Sequence, residues 1–207
     1  MNSIKGNIVF DIVCLDLEGV LVPEIWINVA ERLNIEALRA TTRDIPDYDV
    51  LMQQRLRILD EHQLTLHDIQ RVIADMGPLP GAREFLDWIR ERYQLIILSD
   101  TFYEFAHPLM RQLGWPTLFC HKLEVDATGR IGAYRLRMPD QKTEAVCRLH
   151  ELNFTVVAAG DSYNDTGMLA EADRGIFFDA PKSIQVQFPQ FQATHSYEEL
   201  KAEITRR

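Results

Sequence analysis

The sequence predicts an α/β fold, a parallel sheet layered between helices, on three observations. Short continuously apolar runs recur along the chain, each stops at a polar residue, and amphipathic helical patterns separate them. A run that is apolar at every position suits a strand covered on both faces, which is the condition of a strand in a parallel sheet.

The runs come in order. Ile12-Val13-Cys14-Leu15 ends at Asp16, Leu95-Ile96-Ile97-Leu98 ends at Ser99, Thr155–Ala159 ends at Gly160-Asp161, and Ile176-Phe177-Phe178 ends at Asp179. Between them, Phe85, Leu86 and Ile89 form a helical stripe over 80–92. Phe102, Phe105, Leu109 and Leu113 do the same over 102–113, with a kink expected at Pro108, and Ala145, Val146, Leu149 and Leu152 over 142–152. Residues 121–137 read as a hairpin turning near Gly129, and 196–207 as a short polar helix. The first ten residues read either as an extension of the first strand or as a trailing arm.

Residues 23–78 interrupt the alternation. They carry three helical stretches, 24–33, 47–61 and 66–76, and no clear strand. Thr65 and Asp68 are spaced for a capping box, and Pro23 and Gly77-Pro78-Leu79-Pro80-Gly81 flank the block as breakers. The predicted organisation is a core of residues 1–22 and 79–207 with a helical insert at 23–78.

Composition narrows the partners. The 207 residues carry 22 Lys and Arg against 31 Asp and Glu, a net charge of −9 that disfavours a nucleic-acid binder. Three cysteines (Cys14, Cys120, Cys147) make no CxxC pair and read as buried thiols in a reducing compartment. The N-terminus lacks a signal-peptide pattern and no apolar run reaches the ~18 residues of a membrane span, so a soluble, cytoplasmic protein without membrane partners is expected. The six histidines show no HExxH spacing, and neither GxxxxGK[ST] nor GxGxxG occurs, which weighs against zinc, ATP and dinucleotides.

Ligands of open parallel sheets bind outside the carboxyl ends of the strands, and here those ends bear Asp16, Ser99 and Asp161. Asp16 and Glu18, two apart, share a side of an extended backbone. Asp161, Asn164 and Asp165 follow the third run. Four clustered carboxylates repel one another and hold protons unless a cation joins them, and a hard divalent ion such as Mg²⁺ takes such oxygen ligands. Lys142 and Ser99 supply an ammonium and a hydroxyl suited to a phosphate. Taken singly, each of these is a common surface or capping residue; their joint occurrence in this order is the signal.

Asp16–Val20, Ser99, Lys142 and Gly160–Asp165 resemble the four ordered motifs of the haloacid dehalogenase-like phosphatases, and the insert at 23–78 resembles the helical cap of that superfamily. Residues 17–24, 41–49 and 98–105 are similar to the phosphoserine phosphatase subgroup that also transfers phosphate to homoserine. The resemblance implies a Rossmann-like parallel sheet with helices on both faces. It implies Asp16 as nucleophile through an aspartyl-phosphate and Glu18 as general acid and base. Mg²⁺ would be held by Asp16, the Glu18 carbonyl and Asp161, with Asp165 supporting it. Ser99, the backbone at Asp100, Lys142 and Asn164 would bind the phosphoryl group, Glu24 the substrate ammonium and Arg55 its carboxylate. The second motif acid is usually Asp; Glu18 reaches about 1.5 Å further, and the homoserine-transferring subgroup carries the same Glu. Expected partners are phosphoserine and homoserine, and beyond them only a second copy of the chain in a homodimer. The alternatives are a capped phosphatase of another small phosphomonoester and, from a different class, a phosphorylatable signalling domain. Trp26 and Tyr48 read as pocket lining or packing, and Arg43 and Asp44 as a surface pair without a site role.

Overall fold

A computed structural model describes residues 11–41, 44–45 and 47–206. The first ten residues and Arg43 lie outside them. The sheet has seven strands: β1 (Ile12–Leu15), β2 (Gln94–Phe102), β3 (Thr117–Val125), β4 (Ile131–Arg135), β5 (Val156–Gly160), β6 (Arg174–Phe178) and β7 (Gln192–Thr194). Their spatial order is β4-β3-β2-β1-β5-β6-β7, parallel throughout except for β4, which runs antiparallel to β3 at one edge.

Strand burial explains the uninterrupted apolar runs. Val13 and Leu15 of β1, and Val157 and Ala159 of β5, enter one core; Ile12, Cys14, Val156 and Ala158 enter a second core on the opposite face. The first face is covered by α4 (Ala82–Arg90), α5 (Tyr103–Gln112) and α9 (Tyr197–Thr205), the second by α6 (Gln141–Glu151), α7 (Thr166–Glu171) and α8 (Lys182–Gln187). With helices on both sides, every position of the central strands β1 and β5 is buried.

Between β1 and α4 stand α1 (Ile25–Leu33), a 3-10 turn at Glu36–Arg39, α2 (Tyr48–Glu61) and α3 (Leu66–Ala74). The starts of α2 and α3 have a local cause. The Asp47 side chain accepts from Val50 N–H at the head of α2, and Thr65 and Asp68 form the expected capping box at α3. The block is fastened to the sheet layer by Trp26 packed edge-on against Phe105 at 5.3 Å, by Gln70 donating to the Glu104 carbonyl, and by Leu66 N–H donating to the Gly129 carbonyl.

Several elements differ from the sequence expectation. β2 does not end at Leu98 but continues through Ser99 to Phe102, with its pairing interrupted between Leu98 and Phe102. The expected hairpin forms, turning over Asp126–Gly129, yet its first strand begins at Thr117 and pairs in parallel with β2 before it meets β4. The helix expected over 102–113 forms as α5, with Pro108 inside it. β7, α7 and α8 are three to six residues long, too short for apolar periodicity to register.

Candidate active site

Topology places the site. From β1 the chain builds β2, β3 and β4 to one side, then crosses back to lay β5 against the other flank of β1, so strand order reverses between β1 and β5. Loops leaving the carboxyl ends of strands diverge at such a reversal and leave a crevice. Leu15 is in register with Ala159, and Asp16 N–H donates to the Ala159 carbonyl, so Asp16 and Asp161 emerge side by side. Carboxylate oxygens of Asp16, Asp161 and Asp165 lie within 4.8 Å of one another.

Lys142, in the first turn of α6, enters this group. Its Nζ is 2.9 Å from Asp16 Oδ1, 2.7 Å from Asp165 Oδ1 and 4.0 Å from Asp100 Oδ2, and all but Asp100 are buried. Asp16 Oδ1 also accepts from Leu17 N–H, which fixes the plane of the carboxyl group. Asp165 Oδ2 accepts from Asp161 N–H, Ser162 N–H and Ser162 Oγ–H. Both Asp165 oxygens are therefore engaged, one by the ammonium and the other by the turn that carries Asp161.

Two glycines let these groups approach. A Cβ at Gly19 would lie 2.4 Å from Asp161 Oδ2, and φ there is +75°. A Cβ at Gly160 would lie 2.3 Å from Asp165 Cγ. Any side chain at either position would push the acidic groups apart.

The charges are unbalanced. Fully ionised, three carboxylates face one ammonium, leaving two negative charges in a mostly buried space. Burial and the neighbouring Asp165 and Asp161 charges raise the Asp16 carboxyl well above its ordinary range, against the pull of Lys142. Burial, with Asp165 and Glu24, raises Asp161 to about 7. Lys142 is raised well above its usual value: Asp16, Asp165 and Asp100 outweigh the burial that opposes them. An all-oxygen, excess-negative set on this scale fits a hard divalent cation such as Mg²⁺.

Glu18 is half-buried beside this group, and its Oε2 accepts from Ile25 N–H at 2.8 Å. Burial and the charge of Glu24 raise it to about 8, with the Ile25 bond, Arg55 and Lys142 pulling the other way.

Above the acidic floor opens a cavity of about 490 Å³. All ten residues singled out in the sequence line it except Asp165, which lies fully buried behind Lys142. Ser99 accepts on its Oγ from Thr101 N–H at 3.3 Å. Glu24 caps α1 without using its side chain. Arg55, on α2, is buried; one terminal nitrogen donates to the Ala40 carbonyl, the guanidinium stacks 4.5 Å over Trp26, and Nε has no partner. No carboxylate of the described residues comes within ion-pair distance of it. Burial lowers it to about 10, while nearby Glu18 and Tyr48 favour its charge. Trp26 and Tyr48 both line the cavity while also packing, and Tyr48 Oη donates to the Asp100 carbonyl at 3.3 Å. Asp44 lies outside the cavity lining.

His121 and Gln141 were not singled out in the sequence, although both are buried against Asp100. The position of Gln141 beside Lys142 was the one available signal, and a glutamine at a helix start is too common to carry it.

Residues 10–173 match the family model of the haloacid dehalogenase-like hydrolases. The chain is 64% identical to phosphoserine phosphatase ThrH of Pseudomonas aeruginosa over 95% of this chain and 96% of that protein. It is 62% identical to a phosphoserine phosphatase of Pseudomonas syringae pv. tomato over 97% of this chain and 85% of that one. A solved structure described as a phospho-aspartyl intermediate analogue of phosphoserine phosphatase superposes with a TM-score of 0.76 at 17% identity, covering 95% of this chain and 99% of the other. By fold and by sequence, this chain belongs to the haloacid dehalogenase-like hydrolases.

Proposed function

We propose that the protein is a Mg²⁺-dependent phosphoserine phosphatase that works through an aspartyl-phosphate on Asp16 and also passes the phosphoryl group to homoserine. Residues 23–78 act as its substrate cap and residues 1–22 with 79–207 as its catalytic core. The observation that carries the reading is the pairing of two features in one cavity. At the floor Asp16 and Lys142 lie 2.9 Å apart, and on the cap wall Arg55 stands buried with no carboxylate partner among the described residues. A buried guanidinium without an ion-pair partner is costly unless a ligand supplies one, and an amino-acid phosphoester brings a carboxylate to that wall and a phosphate to that floor. The names of the two Pseudomonas relatives agree with this assignment.

In the reaction, an Asp16 carboxylate oxygen bonds to phosphorus as the serine P–O bond breaks, and the Glu18 carboxylic acid gives its proton to the departing alkoxide. Water then attacks phosphorus, Glu18 takes back a proton, and Asp16 leaves as a carboxylate. When the hydroxyl of homoserine takes the place of water, the product is O-phosphohomoserine instead of inorganic phosphate. Ser99, whose Oγ lone pair is occupied by Thr101 N–H, offers its own hydrogen to a phosphoryl oxygen, alongside Lys142 and Asn164. The backbone at Asp100 contributes to the same edge. Glu24 meets the substrate ammonium.

Asp16, Asp161 and the Glu18 carbonyl would hold Mg²⁺, and Asp165 supports it by fixing the turn at 161–162. When bound, the ion supplies positive charge to the phosphoryl oxygens and to the crowded carboxylates.

The test is phosphate release from phosphoserine, phosphothreonine and an aryl phosphate, with and without Mg²⁺ and homoserine. Mg²⁺-dependent preference for phosphoserine, with O-phosphohomoserine formed when homoserine is added, is the expected result. Equal turnover of the three esters removes the substrate assignment, and an absent acceptor product removes the transfer.

A further inference from the structure

The phosphoryl-side edge of the cavity lacks the ladder that holds the rest of its strand. Leu98 of β2 pairs with Phe119 and Phe102 pairs with His121, so Ser99, Asp100 and Thr101 stand opposite a single residue of β3, Cys120. Three backbone units in that stretch need some other support.

Side chains from two elements reach backbone carbonyls there, and one from a third reaches the Asp100 carboxylate. Gln141 of α6 donates from Nε2 to the Ser99 carbonyl and to Asp100 Oδ1 at 3.2 Å. Tyr48 of α2 donates to the Asp100 carbonyl. His121 of β3 brings Nε2 to 3.5 Å from Asp100 Oδ1.

The hydrogen positions follow from the partners. Arg137 N–H donates to His121 Nδ1 at 3.0 Å, so a neutral imidazole carries its hydrogen on Nε2, facing Asp100. Gln141 presents its NH₂: the reversed amide would set its oxygen against a carbonyl and a carboxylate, two acceptors that outweigh the third neighbour, His121 Nε2 at 3.4 Å. That orientation leaves Gln141 Oε1 buried without a partner. The fold thus tolerates one unsatisfied oxygen in order to aim two donors at residues 99 and 100.

Asp100 passes this positioning on. Its Oδ1 is held by Gln141 and faces His121, while its Oδ2 looks toward Lys142 Nζ at 4.0 Å. We propose that Gln141 and His121 are positioning residues for phosphoryl binding: they fix Ser99, Asp100 and Lys142 relative to Asp16 and do not themselves touch substrate. The inference rests on the phosphatase reading above and adds two residues to it.

The test uses the full-length Mg²⁺-loaded protein and the variants Gln141→Met and His121→Phe, which keep bulk and remove the donors toward Asp100. Calorimetric titration with inorganic phosphate and, separately, with L-serine gives the two dissociation constants, and thermal melting checks folding. Loss of one or two hydrogen bonds to the phosphoryl edge is expected to weaken phosphate about three- to tenfold while leaving serine within about twofold. If His121→Phe does not fold, Gln141→Met carries the test alone. Phosphate affinity unchanged in the folded variants, or phosphate and serine weakened by the same factor, overturns the inference. A wild-type protein that releases no phosphate from phosphoserine overturns the functional reading beneath it as well, whereas an active wild type with those variant results removes only the positioning role.

Discussion

Arg55 and Gly19 show how single residues divide the work of this site. The Arg55 guanidinium is stacked on Trp26 and tied to the Ala40 carbonyl, so its direction is set before any ligand arrives. Arg55→Met should therefore raise KM for phosphoserine by about 100-fold, the scale of a lost buried charge pair at about 3 kcal/mol, with little change in kcat. Steady-state kinetics on an aryl phosphate supply the control: an ester without a carboxylate should lose almost nothing, and an equal loss on both substrates would place Arg55 elsewhere in the mechanism. Gly19 acts through space it does not fill. At φ +75° and with Asp161 Oδ2 only 2.4 Å from where a Cβ would stand, Gly19→Ala has both a backbone and a steric penalty. The expected outcome is a loss of more than about 1 kcal/mol of stability in urea. Displacement of Asp161 should also reduce kcat/KM about 100-fold, as misplacements near 1 Å do. A variant with full turnover would mean that Asp161 can move without consequence.

At the scale of elements, the helical block is held by local starts and by packing more than by surface charge. Thr65 opens α3 with a reciprocal capping box, so Thr65→Ala should reduce stability by about 1 kcal/mol, read from the denaturation midpoint. Arg130 pairs with Asp60 across the block and the β3–β4 hairpin at 2.5 Å, but both side chains are more than half exposed, and Arg130→Ala should leave the midpoint unchanged. The opposite ranking would mean that the ion pair, and not α3, fastens the block. The same contrast explains what could be read from the chain beforehand. β1 and β5 were legible because both of their faces are buried, so the apolar run is unbroken, and α3 because Thr65 and Asp68 have a fixed spacing. The continuation of β2 past Leu98 was not, since Ser99, Asp100 and Thr101 are polar and are held by Gln141, His121 and Tyr48 from remote parts of the chain. In the site, Asp16, Lys142 and Asp161 announced themselves at strand and helix boundaries. His121 did not, because its role depends on a β3 register that no local pattern encodes.

Across the whole molecule, the reversal of strand order beside β1 creates the crevice and also concentrates acid there. Asp16, Asp161 and Asp165 converge with Lys142 as the one cation in ion-pair distance among the described residues, so the fold works against electrostatic repulsion at the point where it is most constrained. A divalent ion that binds this group only in the folded state must raise stability, by about 2.7 kcal/mol at a concentration one hundred times its dissociation constant. For a chain of this length that corresponds to a rise in Tm of about 5–10 °C. Asp161→Asn should separate the two halves of the balance. Removing one like charge relieves repulsion, so the metal-free variant should melt at or above the metal-free wild type; removing a ligand should abolish the Mg²⁺-induced rise. Melting curves of both proteins in EDTA and across a Mg²⁺ titration measure both effects. A variant that melts lower in EDTA would show that the Asp161 carboxylate stabilises the apo fold, and an undiminished Mg²⁺ shift would place the ion away from the junction of β1 and β5.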